Sequence, residues 1–206
     1  MYSQNNEEQL ILDYFGPVFK GTCLDLGAND GVTLSNTRAC IERGWKGVMV
    51  DASTDMCGKL HKLYLPKTID DHWNEVHNVA MGNTDGFLTF YESGEHLGKG
   101  DRSLVSTIVP AEMDRWTNET FTPVTVECVT FATLLTRSAH KTFDLISIDI
   151  EGMDLDVLRQ MDLTALGCKM LIVEFNGKDE GHYHACAIEH GMKLHAKNAE
   201  NLIYVK

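Results

Sequence analysis

Three groups of residues in this 206-residue chain have the types and spacing to do chemistry. The first is the run Cys23-Leu24-Asp25-Leu26-Gly27-Ala28-Asn29-Asp30-Gly31, a short apolar strand entering a loop with two glycines. Gly27 and Gly31 let the backbone turn tightly and approach a ligand closely. The second is Asp51, followed by Ala52, at the end of the apolar run 46–50. A carboxylate there can accept both hydroxyls of a ribose. The third is acidic: Asp149 and Glu151 flank Ile150 after the run 143–148, and Glu174 follows the run 170–173. Alternation along extended backbone puts the carboxylates of Asp149 and Glu151 on one side. Carboxylates brought together raise one another's pKa, which suits a general base for a hydroxyl. The same oxygens of Asp149, Glu151 and Glu174 could hold Mg²⁺, which would orient and acidify hydroxyls. Plainer roles compete with each of these. Asp51 and Glu151 can be helix caps, and Gly31 can serve only tight packing.

The loop discriminates between two nucleotide classes. A dinucleotide needs G-x-G-x-x-G, whose middle glycine admits the pyrophosphate. Here Ala28, Asn29 and Asp30 stand between the glycines, and Asp25 would repel phosphates. S-adenosylmethionine has no phosphate but carries a sulfonium and an ammonium, which an acidic loop suits. A helix reaching about residue 43 is expected to point free N–H groups at that ligand.

The elements that must position these groups alternate between strand and helix. Helices are expected over 6–15, after Gly31, from Ser53 or Thr54 to about Leu65, and over 131–137, 155–161 and 181–190. Strands are expected over 22–26, 46–50, 76–81, 143–148 and 170–175, with a short pair at 192–196 and 202–205. Such order predicts a Rossmann-like α/β fold with a mostly parallel seven-stranded sheet and a terminal antiparallel pair. Residues 83–130 break the pattern and read as an insertion: hairpin arms at 87–91 and 124–129 around a mobile polar loop, 93–106. No linker or repeat divides the chain, so 1–206 reads as one domain.

Bulk properties limit the partners. A net charge of −12 repels nucleic acid and anionic lipid. No apolar run approaches the roughly 20 residues of a membrane span, and the polar start does not resemble a signal peptide. Cytoplasm is the expected location, and an oligomer is left open. Six scattered cysteines without short spacings read as reduced structural thiols.

These residues resemble the FkbM-type methyltransferases. The resemblance rests on the 25–31 loop with Ser35-Asn36-Thr37, on Asn78-Val79-Ala80-Met81-Gly82, on Ile148-Asp149-Ile150-Glu151-Gly152 with 155–158, and on Val173-Glu174. It implies a class I fold and S-adenosylmethionine-dependent O-methylation of a sugar, glycoconjugate or polyketide-like hydroxyl. It further implies that Asp25, Gly27, Ala28, Asn29, Gly31 and Asn36 surround the methionine part of the cofactor. Asp51 and Ala52 would hold the ribose, Asn78 and Val79 would edge the adenine, and Asp149 would meet the ammonium. Family members commonly carry Glu-Pro where this chain has Asp51-Ala52. For the acceptor, Ser103 and Ser106 are candidate contacts, and Trp116 is better placed than Trp45 or Trp73 to stack on a sugar. His182 and His184 read as exposed helix residues. An NAD- or nucleotide-sugar-linked oxidoreductase and a silent S-adenosylmethionine-binding protein are the competing functions.

Overall fold

A computed structural model describes residues 1–64, 74–98 and 100–206. The chain opens with α1 (Glu7–Phe15), β1 (Thr22–Leu26), α2 (Arg38–Glu42), β2 (Lys46–Asp51), α3 (Thr54–Tyr64) and β3 (Glu75–Asn78). The insertion adds β4 (Ala80–Met81), β5 (Gly86–Ser93), a 3₁₀ helix (Pro110–Arg115) and β6 (Phe121–Val129). Then follow α4 (Phe131–Arg137), β7 (Leu145–Ile148), α5 (Asp154–Leu158), β8 (Met170–Glu174), α6 (Glu180–Glu189), β9 (Lys193–Lys197) and β10 (Asn201–Val205).

Seven strands form one sheet in the order β3-β2-β1-β7-β8-β10-β9. The first five run parallel, and β10 is antiparallel to both neighbours. Strand alternation sends side chains to opposite faces, and both faces are covered. Leu24, Leu26, Val48, Val50, Ile146 and Ile148 pack with α4, α5 and α6 residues such as Leu134, Val157 and Ala187. Cys23, Leu145, Met170 and Ile172 pack on Ile11, Cys40 and Trp45 of the opposite layer. Burial on both faces explains why these strands read as apolar runs rather than alternating ones. All six cysteines are free, and five are buried.

The structure departs from the sequence expectations in three places. No helix follows Gly31 directly, because α2 spans only Arg38–Glu42. Leu34 sits at φ 56, Asp30 Oδ1 accepts from Val32 N and Thr33 N, and Thr37 Oγ1 donates to Asp25. Those local bonds hold 32–37 in turns. The expected strand at 76–81 is two strands, because Ala80–Met81 leaves the main sheet to pair in parallel with β6. The loop at 93–106 is pinned rather than mobile. Asp101 accepts from His96 N at 2.9 Å, Ser103 N donates to Ser93 O at 3.2 Å, and Asn29 Nδ2 donates to Arg102 O at 3.0 Å. Helix α3 is described to Tyr64, so Leu65 lies outside the described residues, as does Trp73. Among the described residues no helix is long and apolar enough to cross a membrane.

Gly27 is the tightest point of the sheet edge. It has φ +87, and a Cβ placed there would lie 1.7 Å from the Asp149 carbonyl oxygen. Gly58, inside α3, has nothing within 4 Å of its ideal Cβ. Gly27→Ala should therefore cost several times the roughly 1–2 kcal/mol of a left-handed alanine alone, while Gly58→Ala should stabilise by about 0.5–1 kcal/mol. Urea unfolding of both variants checks the pair, and equal effects would refute the close-approach argument.

Candidate active site

At the carboxyl ends of β1, β2 and β7 lies a cleft of about 590 Å³, counting its open mouth. It is the crevice where open α/β sheets bind ligands. Its wall from the main sheet includes Gly27, Asn29, Asp51, Ala52, Asp149 and Glu151. Val79 and Met81 line it where the chain leaves β3, and Phe90, Ser103, Ser106 and Ile108 of the insertion close it. The insertion is a wall of the site.

Asp51 organises the wall at the end of β2. One carboxylate oxygen accepts from Asn29 N and the other from Ser53 N, both at 2.8 Å. Ser53 Oγ in turn donates to Glu92 of β5. Each Asp51 oxygen keeps a free lone pair for a ligand. Burial pushes Asp51 up to about 6, against the pull of its two backbone donors. Asp25 is likewise pushed up to about 6 by burial, although Thr37 donates to it at 2.6 Å.

The turn after β7 carries the other acids. Glu151 has φ 50 and Gly152 φ 109, conformations that need outside support. Asp154 supplies it, accepting from Ile150 N at 2.9 Å and from Gly152 N at 3.0 Å. Thr107 of the insertion donates to Glu151 O at 2.7 Å. The 3₁₀ helix packs on the same turn: a Cβ on Gly152 would meet Glu112 Cγ at 2.7 Å. From that helix Arg115 lies 2.8 Å from Glu112 and 3.4 Å from Glu151.

Asp149, Asp154 and Glu174 bring carboxylate oxygens within 4.8 Å of one another. Burial, then Asp149 and Asp154, pushes Glu174 up. Asp154 is raised by burial against its backbone donors. Burial, then Glu174, raises Glu151, and Arg115 opposes the shift. Desolvation, then Glu151, Asp154 and Asp25, raises Asp149. Asp149 is nonetheless exposed to the cleft, so water offsets part of that desolvation and charge crowding is the firmer cause.

Several residues singled out from sequence lie behind the cleft wall. Asp25 faces Thr37, Asn36 donates to Ser147 Oγ at 3.2 Å, and Gly31 is pressed on α3, with Tyr64 OH donating to its carbonyl. A Cβ on Gly31 would meet Leu60 and Tyr64 at 2.8 Å, so packing accounts for that glycine. Asn78 donates to Asp51 O and Ala52 O and so braces the turn after β2 from outside. Ala28 is buried against Met49 and Leu60, and Glu174 stands behind Asp149. Alternation does not govern Glu151, because β7 ends at Ile148. Nor does Glu151 cap α5, whose N-cap is Met153. It also stands outside the three-acid group that could hold a cation, where Asp154 takes its place. One face of Trp116 is covered by Arg115 at 5.2 Å, and His96 packs against its ring, which leaves little room for a sugar. Trp45 is core, His184 bonds Tyr204, and His182 is exposed. Sequence reasoning passed over Asp154, Arg115 and Thr107. An aspartate opening a helix three residues after Glu151 was the only local signal among them.

Comparison with known proteins places this geometry. Residues 25–191 match the Methyltransferase FkbM domain. A solved FkbM methyltransferase from Methylobacillus flagellatus KT aligns with TM-score 0.52 and 11% identity over 91% of this chain. This chain spans only 44% of that protein. Magnesium protoporphyrin IX methyltransferase from Synechocystis PCC 6803, solved with bound SAM, aligns with TM-score 0.50 and 10% identity over 97% of this chain and 77% of its own. The yhhF protein of Escherichia coli aligns with TM-score 0.51 and 12% identity over 99% and 87%. Among curated proteins none matches this chain. The fold is the Rossmann-like fold of class I methyltransferases.

The crowded acids give the ligand-free protein a pH signature. Asp25 and Asp51 have folded-state pKa values above their unfolded ones. Their protonated forms favour folding below about pH 4, and that contribution is lost as pH rises through about 6. Each should remove roughly 2–3 kcal/mol of apo stability by pH 8. Melting curves of the apo protein from pH 5 to 8 should fall steadily, and a flat profile would show these carboxylates to be unperturbed.

Proposed function

Because this chain belongs to the FkbM methyltransferase family, we propose that it binds S-adenosylmethionine in the acidic cleft and methylates a hydroxyl. The observation that carries this reading is the cleft's charge. Asp51, Asp149 and Glu151 line it, and among the described residues no lysine or arginine does. A dinucleotide would bring phosphates to that surface, whereas a sulfonium and an ammonium relieve the crowding there.

In this reading Gly27 and Asn29 face the methionine part, Asp51 and Ala52 the ribose, and Val79 the adenine. Asp25, Ala28, Gly31, Asn36 and Asn78 act from behind, by holding those walls. Asp149 meets the ammonium, with Glu174 at its back. Glu151 takes the proton from the acceptor hydroxyl as that oxygen attacks the methyl carbon. The carbon–sulfur bond breaks, its electron pair stays on sulfur, and the proton remains on Glu151 until water removes it. Arrival of the sulfonium lowers the Glu151 pKa, so the base ionises when the methyl donor is in place. Methyl transfer otherwise needs mainly alignment. The acceptor class in this proposal is a sugar, glycoconjugate or polyketide-like hydroxyl. A second reading has Asp149, Asp154 and Glu174 hold Mg²⁺, favoured by their mutual reach within 4.8 Å.

Calorimetry should show S-adenosylmethionine binding and no comparable affinity for NAD; the reverse order would overturn the reading. Asp51→Asn loses one acceptor oxygen and should weaken cofactor binding by about 1.5–3 kcal/mol, or roughly ten- to a hundredfold. Undiminished affinity would remove Asp51 from the site.

Turnover can be followed by mass on a panel of hydroxylated glycans and small molecules. Glu151→Gln should bind cofactor nearly normally and lose about 10²–10⁴ in rate. Full activity would show that Glu151 is not the base. Inhibition by EDTA with rescue by Mg²⁺ would establish the metal reading, and indifference to both would discard it.

A further inference from the structure

We propose that the Ser103 hydroxyl binds the carboxylate at the methionine end of S-adenosylmethionine, an inference that rests on the cofactor reading above. That carboxylate needs a hydrogen-bond donor in a cleft whose charged lining residues are all acids: Asp51, Asp149 and Glu151. The neutral side-chain donors in the lining are Asn29, Ser103 and Ser106. Asn29 gives one amide hydrogen to Arg102 O at 3.0 Å, its oxygen accepts from Asp30 N at 2.8 Å, and its second amide hydrogen stays available beside the two serines. The serines differ from it in being linked to each other.

Their hydrogens can be traced. Ser106 Oγ accepts from Ser93 N at 2.8 Å and touches Ser93 Oγ at 3.3 Å and Ser103 Oγ at 2.7 Å. Ser93 is 1% exposed, and its oxygen accepts from Val105 N at 3.3 Å. Among the described residues Ser106 Oγ is the acceptor within reach of the Ser93 hydroxyl. Turning the chain of hydroxyls the other way would leave that buried hydrogen unpaired, which is costly. The chain therefore runs Ser93 to Ser106 to Ser103. Ser106 has both lone pairs filled and gives its own hydrogen to Ser103. Ser103, 7% exposed and lining the cleft, then holds one uncommitted donor hydrogen.

Backbone connectivity sets Ser103 beside the loop that the reading above assigns to the methionine part. Ser103 has φ 64, a conformation a serine rarely adopts and one that the Ser103 N to Ser93 O bond helps hold. The preceding carbonyl, Arg102 O, is tied to Asn29 of the glycine loop. A donor already polarised by two hydroxyls behind it is stronger than a lone serine. Strain at a cleft residue with a free donor is the arrangement expected of a binding group.

The test compares S-adenosylmethionine with its decarboxylated analogue, by calorimetry on the intact chain. Ser103→Ala should weaken S-adenosylmethionine about ten- to a hundredfold and leave the decarboxylated analogue within about twofold of wild type. Ser103→Gly removes the same hydroxyl while relieving the positive φ, so it should show the same selective loss with a higher melting temperature than Ser103→Ala. Equal weakening of both ligands, or no weakening, would overturn the proposal and return Ser103 to an acceptor-binding or structural role. Wild-type protein that binds neither ligand would overturn the cofactor reading itself.

Discussion

Where β1 ends at Leu26, the next residue must pass over the exit of β7 with no room for a side chain. Gly27 takes that place, against the Asp149 carbonyl. Asp149 N also donates to Leu26 O, and Gly27 N donates to Val50 O, so three strand ends are bound at one point. A side chain at Gly27 would force β1 and β7 apart and carry Asp149 out of the cleft. Everything downstream depends on this contact: the reach of Asn29 N to Asp51, and the start of the turn that presents Glu151.

The same contact concentrates negative charge. Strands converge at their carboxyl ends, and Asp25, Asp51, Asp149, Glu151, Asp154 and Glu174 all come to that edge. Folding alone does not require this, because every one of these acids is raised by the arrangement. An apo protein that carries such a cost has its charge distribution built for something cationic to arrive. Binding energy and local stability are then one quantity seen from two sides, since a cation that lowers these pKa values also stabilises the fold.

The strand order and the two-faced core were legible in the sequence because buried parallel strands leave long apolar runs and glycine turns between them. The run at 143–148 and the helix at 131–137 are cases where local pattern and tertiary burial agree. Local pattern failed where side chains compete with the backbone. Asp30 and Thr37 draw 32–37 into turns that no apolar periodicity betrays. The acids were visible as types, but their partition was not. Asp154 takes the place of Glu151 in the three-acid group, because a positive φ at Glu151 can be read only from coordinates. The bonds of the 93–106 loop were equally hidden: its glycines suggested motion, whereas Asp101 binds His96 N and Ser103 binds Ser106 within it.

That loop shows why the insertion belongs to the chemistry. The main sheet supplies the floor and one wall, as any fold of this class would, and leaves the cleft open above Asp149. The insertion closes it with Phe90, Ser103, Ser106 and Ile108, and grips the Glu151 turn through Thr107, Glu112 and Arg115. Arg115 pairs with Glu151, and it arrives on a 3₁₀ helix rather than from the sheet. In the proposed reading the floor can therefore be common to many reactions, while the insertion would set both the shape above the methyl group and the charge state of Glu151. Specificity for an acceptor would then reside in the part of this chain that departs from the regular α/β order.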